Sequence, residues 1–405
     1  MRIFFIGHRV PFPPDRGDKI ATFNLVRHLG QTHEVHVFCL ADGRGDLANI
    51  DGLRDCTASV TAVPVLPLRA RLRALRALPG SGSLSVAAMH EASLHAAIRQ
   101  RFAALRPDLV MVYSSNVAQY AEPFTQTPRI MYFSELDALK WRDYAARAAP
   151  PMRWIYALEA RRLLEYERHI ARSFNHSVVC TEAEARAFRA AIPDAPVSLV
   201  RNGVDLDYFS PAGTPKQPGA LVFTGVMNYA PNVDAVRWFC ADILPLIRQA
   251  VPQAQLTICG SRPSKAVQRL AADPGVMVTG RVPDVRPYLN RAEVFVAPLR
   301  LARGIQNKVL EAMAMGLPVV ASGTVRNGTA IPEGEGILAA DTAEAFAAHV
   351  IRLLSDDSYR AAMGTSARAV VERNHRWSAQ LAVLDRVIAG VMEGQGSAPT
   401  ESKEA

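Results

Sequence analysis

Short apolar runs alternate with helix-patterned stretches along almost the whole chain, and few folds satisfy that alternation. In the first half the strand candidates are Arg2–Ile6, Glu34–Leu40, Ser59–Val63, Leu109–Tyr113, Arg129–Phe133, Ser177–Cys180 and Val197–Val200. In the second half they are Ala220–Phe223, Gln255–Cys259, Val276–Thr279, Val294–Ala297 and Pro318–Ala321. Helical periodicity falls between them, over Asp18–Gly30, Ala87–Leu105, Met152–Arg172, Asn232–Ala250 and Asp284–Arg291. Short buried strands separated by helices form parallel sheets through crossover connections. The pattern predicts an α/β chain with two successive doubly wound domains, and 405 residues suffice for that. Sheets of this kind bind ligands at the carboxyl ends of their strands.

The boundary is placed after Arg201-Asn202-Gly203-Val204-Asp205. The Asn-Gly pair marks a turn, and the stretch from Pro211 to Gly219 is rich in Pro, Gly and Lys, as a linker is. This gives a first domain over 1–205, a second over 206–375, and a last helix over 376–392 with the reach to cross back to the first domain. The tail over 393–405 is polar and small, and reads as disordered.

A hydrophobic fraction of 49% with 21% charged residues fits a soluble chain with a large core. No apolar run approaches the length of a transmembrane helix, and the start is too short for a signal peptide. The five cysteines form no C-x-x-C pair, and three of them sit in or beside apolar runs. They read as buried thiols of a reducing compartment, so a cytoplasmic location is expected. The net charge of +8 is modest for this length. Within it, Arg69, Arg71, Arg73 and Arg76 alternate with small and apolar residues. That segment fits either a peripheral contact with an anionic membrane surface or a plain solvated helix. No basic–aromatic interleaving suggests nucleic acid as a partner. The histidines lack metal spacing, and no Gly-x-Ser-x-Gly elbow or phosphate-binding Walker loop occurs, which argues against hydrolase and kinase chemistry.

The stretch from Gly304 to Ala321 carries the most specific chemistry. A glycine-bearing loop, Gly304-Ile305-Gln306-Asn307, runs into a short helix that ends at Gly316-Leu317-Pro318 before an apolar strand. Unpaired N–H groups at a helix start suit a diphosphate. Lys308 adds a positive charge in the first turn. Glu311, one turn on, shares its face and offers a carboxylate to two ribose hydroxyls. The alternative is an amphipathic helix with a solvated Lys–Glu pair.

This stretch resembles the nucleotide-binding element of the family 4 glycosyltransferases, in which a Glu, seven residues and a second Glu mark the donor site. Glu311 matches the second Glu. Arg303 stands where the family has the first, sugar-contacting one. Asn202-Gly203-Val204-Asp205 followed by Tyr208, Phe209 and Pro211 resembles the family's interdomain segment. The resemblance implies a GT-B-type fold, with two Rossmann-like domains facing an interdomain cleft. It implies transfer of a sugar from a nucleotide-diphosphate sugar to a glycan or polyprenyl-linked acceptor, with retention. Bacterial exopolysaccharide transferases and those of the PEP-CTERM sorting system are the most similar. Neither a metal nor a cofactor is expected, and Asp205-x-Asp207 is assigned to the hinge rather than to a metal. A nucleotide-sugar epimerase of the same architecture, or a non-catalytic nucleotide-sugar-binding subunit, remains open.

The other candidate residues follow from the same resemblance. The prolyl loop after the first strand resembles the loop that approaches donor sugar and acceptor. It brings Gly17 to the donor and Arg16 and Lys19 to the acceptor side. The stretch Phe133–Tyr144 resembles an acceptor-side loop, with Asp137 as acid/base or positioning residue and Lys140 and Trp141 beside the acceptor. Gly225 and Asn228, after the first strand of the second domain, and Arg281, after Gly280, are donor-side candidates. Relatives carry an Arg and a Lys after that first strand. Here Lys308 and Arg303 are expected to supply the charge, which makes them the catalytic cations with Asp137.

Overall fold

The computed structural model describes residues 1–302 and 304–394. Arg303 and the expected tail beyond Gly394 therefore lie outside the described residues. Two compact units divide the chain: Met1–Val200 together with the stretch from Leu381, and Arg201–Gln380. The first crossing between units thus falls just before Arg201 rather than after Asp205, and the second falls inside the last helix, Trp377–Met392.

The first unit holds seven strands: β1 (Arg2–Gly7), β2 (Glu34–Ala41), β3 (Ser59–Pro64), β4 (Leu109–Tyr113), β5 (Arg129–Ser134), β6 (His176–Val179) and β7 (Val197–Leu199), in the order β3-β2-β1-β4-β5-β6-β7. Every ladder is parallel. Every residue of β1 beyond Arg2 is buried, as a sheet covered on both faces requires. On one face Phe4, Phe38, Val112 and Met131 pack with Ile98 and Phe188 from flanking helices.

The second unit holds six strands: β8 (Ala220–Thr224), β9 (Gln255–Cys259), β10 (Val276–Gly280), β11 (Val294–Ala297), β12 (Val319–Ala321) and β13 (Ile337–Ala339), in the order β10-β9-β8-β11-β12-β13, again all parallel. Both units are doubly wound. The order reverses between β1 and β4 in one and between β8 and β11 in the other, and those are the places where such sheets open a crevice.

Three local expectations need correction. The helix expected over Ala87–Leu105 is two, Leu84–Ala88 and Ala92–Leu105. Tyr120 holds the break, donating to the Met89 carbonyl at 2.6 Å and accepting from the Glu91 N–H at 2.7 Å. The helix expected over Asn232–Ala250 begins at Ala230 and passes through a π turn at Phe239–Ile243. Pro245, which cannot donate into a regular ladder, stands just after that turn. Finally, Asn202-Gly203 is not a turn, because the turn falls at residues 206–208. Gly203 is there for space: a Cβ would sit 2.6 Å from the Trp377 nitrogen, where the hinge strand lies against the start of the last helix. Val204 N–H donates to the His375 carbonyl at 2.8 Å beside it.

Asp205-x-Asp207 is a side-chain turn, with Asp205 Oδ1 accepting from the Asp207 and Tyr208 N–H groups. Among the described residues no group of three or more His, Cys, Asp or Glu side chains is placed to hold a metal. No described helix is long and apolar enough to cross a membrane.

Candidate functional site

In the second unit the switch point is built from the loop after β8 and the helix Asn307–Ala314 that follows the loop after β11. Gly225 leaves β8 with φ +155°, and a Cβ there would lie 2.7 Å from Asn232 Nδ2 and 3.0 Å from Lys308 Nζ. Glycine is what lets that amide and that ammonium close over the strand end. Asn232 is 5% exposed and orders both elements. Its Nδ2 donates to the Val226 carbonyl at 2.9 Å, and its Oδ1 accepts from Lys308 Nζ at 2.7 Å. The ammonium also sits 4.5 Å from the centroid of Phe223.

Glu311 is half-buried one turn along the same helix. Burial pulls Lys308 down to about 7 and pushes Glu311 up to about 7, each shift opposed by the other's charge. A desolvated cation at a helix start, with no carboxylate in hydrogen-bond contact among the described residues, is poised for an incoming anion. Gln306 stands at the N-cap in extended backbone, ahead of Asn307 and Lys308 in the first turn. Beside it, Asn202 Nδ2 donates to Asn307 Oδ1 at 3.0 Å, and Asn307 Nδ2 is a buried donor without a partner.

The other candidates of this unit are placed differently. Gly304 has φ +62° and approaches Gly328 so closely that a Cβ on the latter would meet its carbonyl at 2.6 Å. Ile305 packs against the core, so its side chain is not a ligand group. Asn228 is exposed, and Asn232 occupies the position expected for it. Arg281 is exposed at the end of edge strand β10, two strands from β8, which removes it from the switch point.

In the first unit, β1 and β4 run side by side, Gly7 opposite Tyr113. His8 follows directly and lies against the Tyr113 ring, with centroids 5.9 Å apart. Its Nε2 is 3.1 Å from Asp18 Oδ2. Burial alone would raise the Asp18 carboxyl, but the His8 hydrogen bond and the charges of His8, Arg9 and Arg16 hold it far below the usual range. The same Nε2 lies 3.1 Å from Arg9 Nη1, and Nδ1 is buried without a partner among the described residues. β4 and β5 each end in a serine at positive φ, Ser114 at +82° and Ser134 at +64°. Strained backbone of this kind gathers at working sites.

Asn116, just past Ser114, donates to Asp137 Oδ2 at 3.2 Å, and its own Oδ1 is a buried acceptor without a partner among the described residues. Asp137 also pairs with Lys140. Its backbone is held from behind by Glu167, which is 0% exposed and accepts from the Ser115 hydroxyl and the N–H groups of Asp137 and Ala138. An orphan ring nitrogen and an orphan amide oxygen at the ends of neighbouring strands suit hydroxyls, which both donate and accept.

Of the acceptor-side candidates, Lys19 is corrected. It is 4% exposed and bound to Asp46 at 2.8 Å, because an ammonium this deep needs a carboxylate. Arg16 is tied to Asp18 and Asp42. Gly17 opens the helix Gly17–Leu29 behind an extended Arg16. Trp141 lies in an aromatic group, 5.3 Å from Tyr156 and 5.8 Å from Tyr144. His8, Asn116, Glu167 and Asn232 were not singled out from the sequence, and Asn202 was read only as part of the interdomain motif. Only the position of His8 and Asn116, just past strand ends, could have pointed to those two.

Comparison with known proteins finds one family match on each unit. The Glycosyl transferase 4-like domain matches residues 19–203, and Glycosyl transferases group 1 matches residues 218–356. A GDP-mannose-dependent monoacylated alpha-(1-6)-phosphatidylinositol monomannoside mannosyltransferase of Corynebacterium glutamicum is 33% identical over 215 residues, 47% of this chain and 56% of that protein. The chain spans about half the length of the curated relatives it matches. Among solved structures, a sucrose-phosphate synthase of Thermosynechococcus elongatus superposes with TM-score 0.74 at 18% identity, over 97% of this chain and 99% of that one. HepE of Anabaena in complex with UDP-glucose gives 0.67 at 13%, over 96% and 100%. The solved structures share the fold, and with a glycosyltransferase family match on each of the two units the chain belongs to the family 4 glycosyltransferases.

Proposed function

We propose that this chain transfers a sugar from a nucleotide-diphosphate sugar to a hydroxyl of a lipid-linked or glycan acceptor, with retention of configuration, in exopolysaccharide assembly, and without a resident metal or cofactor. The observation that carries the reading is the desolvated Lys308 held by Asn232 over the end of β8, at a helix start and one turn from Glu311. Negative charge grows on the leaving diphosphate, and a preorganised cation beside it lowers the barrier. Glu311 receives the ribose. In the first unit, His8 Nδ1 and Asn116 Oδ1 receive sugar hydroxyls, and Asp137 positions the acceptor. The mannosyltransferase relative's phosphatidylinositol monomannoside acceptor favours a lipid-linked one here.

A thermal-shift series with UDP-, GDP- and ADP-linked sugars selects the donor. Product formation with that donor and a polyprenyl-linked acceptor, read by NMR at the new anomeric centre, tests transfer and retention together.

Two substitutions test the donor half. Glu311→Ala is expected to weaken sugar-nucleotide binding by about 10- to 100-fold, the loss of a charge-assisted hydrogen-bond pair worth about 1.5–3 kcal/mol. Unchanged affinity by calorimetry removes Glu311 from the ribose. Gly225→Ala is expected to displace Lys308 and Asn232, since the new methyl occupies their space at a positive φ. Donor affinity should fall about tenfold, with a strain cost of roughly 1–3 kcal/mol. A crystal structure of the variant with both side chains unmoved would contradict that.

A further inference from the structure

The helix Pro67–Ala77 of the first unit has no buried residue. Its faces are arranged the wrong way round for a helix that only covers a core. The side toward the protein carries Ala70, Ala74 and Ala77, all half-buried, with Arg73, which is bound to Glu91. The helix is fixed from its end, where Arg162 donates to the Ala77 and Leu78 carbonyls. Its leucines point outward: Leu68 is 71% exposed, Leu72 43% and Leu75 59%.

At 3.6 residues per turn these three leucines fall within an arc of roughly 60°. Arg69 and Arg76 flank that arc on one side and Arg71 on the other, all three exposed. The helix contains no acidic residue. Folding of the unit does not explain solvent-facing leucines bracketed by arginines. A water–lipid boundary does, since leucines enter the acyl region while arginines stay at anionic headgroups.

We propose that this face lies on an anionic lipid bilayer, with Leu68, Leu72 and Leu75 inserted and Arg69, Arg71 and Arg76 at the headgroups. Charge complementarity selects the lipid surface: a second copy would bring the same arginines against themselves. The inference gives the proposed transfer a route to a lipid-linked acceptor but does not rest on it. Sugar-nucleotide binding belongs to the other unit and is measured separately.

The test is co-sedimentation of the full chain with vesicles of phosphatidylcholine alone and of equimolar phosphatidylcholine and phosphatidylglycerol. The chain is expected to pellet with the mixed vesicles only, and less so at high salt. The triple variant Arg69→Gln, Arg71→Gln, Arg76→Gln should bind about a hundredfold more weakly at low salt. The triple variant Leu68→Gln, Leu72→Gln, Leu75→Gln should also lose binding, while its melting temperature holds because it changes only exposed side chains. Both variants should bind the sugar nucleotide as the parent does, so a failure of vesicle binding is separable from a failure of the transferase reading. Binding of the leucine variant equal to the parent would overturn the proposal. So would a dimer in sedimentation equilibrium that the leucine variant abolishes, since the face would then belong to a second copy.

Discussion

Replacing Lys308 by Met is expected to lower kcat/KM by about two to three orders of magnitude and to raise the melting temperature by roughly 2–4 °C. The two effects share one cause. The ammonium is desolvated over Phe223 and Asn232, and burial draws it from its ordinary 10.5 to about 7. A lysine whose charged form is disfavoured in the fold burdens stability fully below about pH 7, and the burden vanishes as pH approaches 10.5. That burden works against the roughly 1–3 kcal/mol lost when Asn232 Oδ1 is left without its donor, and a higher melting temperature in the variant is the sign that it is the larger. Met fills the same volume, and its thioether suits the ring.

The same pair sets a pH dependence. As pH rises through about 7, Lys308 and Glu311 together lose protons, so the half-site becomes more negative. Affinity for a sugar nucleotide, whose diphosphate does not titrate there, should fall across that window, and the fall should flatten in Lys308→Met. Calorimetry at pH 6 and pH 8 checks this. A lower melting temperature in Lys308→Met with a parent-like pH profile would make Lys308 a structural lysine.

The elements were legible wherever they were local. β1, β4 and β11 are built on continuous apolar runs, and their bounds in the structure differ from the sequence expectation by a residue or none. β13, Ile337–Ala339, was not among the expected strands. It follows Gly336, a residue at φ +81° whose Cβ would meet Ala367 at 2.3 Å. Lys308 and Glu311 were legible because one helical turn relates them. Asn232 and Asn116 were not, since their meaning is a contact made across the sheet end: one holds Lys308, 76 positions away, and the other reaches Asp137, 21 positions away. Lys19 shows the converse. Its charge sits in a suggestive loop, but the sequence does not reveal that Asp46 consumes it.

Glu167→Ala is expected to lower the melting temperature by roughly 6–12 °C, the largest stability effect of any change to the two half-sites. Glu167 is fully buried, and three donors converge on it from Ser115, Asp137 and Ala138. Truncation leaves them unmet in a space water does not readily enter, at a cost of about 3 kcal/mol. Asp137 would lose the backbone bond that sets it beside Asn116, so turnover should fall with stability. Glu167→Gln separates the contributions. Burial, helped by the charge of Asp137, lifts the Glu167 carboxyl well above its usual range, against the pull of its hydrogen bonds. A Glu raised in the fold is harmless when protonated and costs stability as pH climbs from about 4.5 toward its folded value. The amide keeps the shape and one acceptor oxygen and has no proton to lose. Its melting temperature should therefore match the parent near pH 5 and exceed it increasingly as pH rises. If Gln is instead as damaging as Ala at neutral pH, the carboxylate is ionised there, and its negative charge is what anchors the turn that carries Asp137.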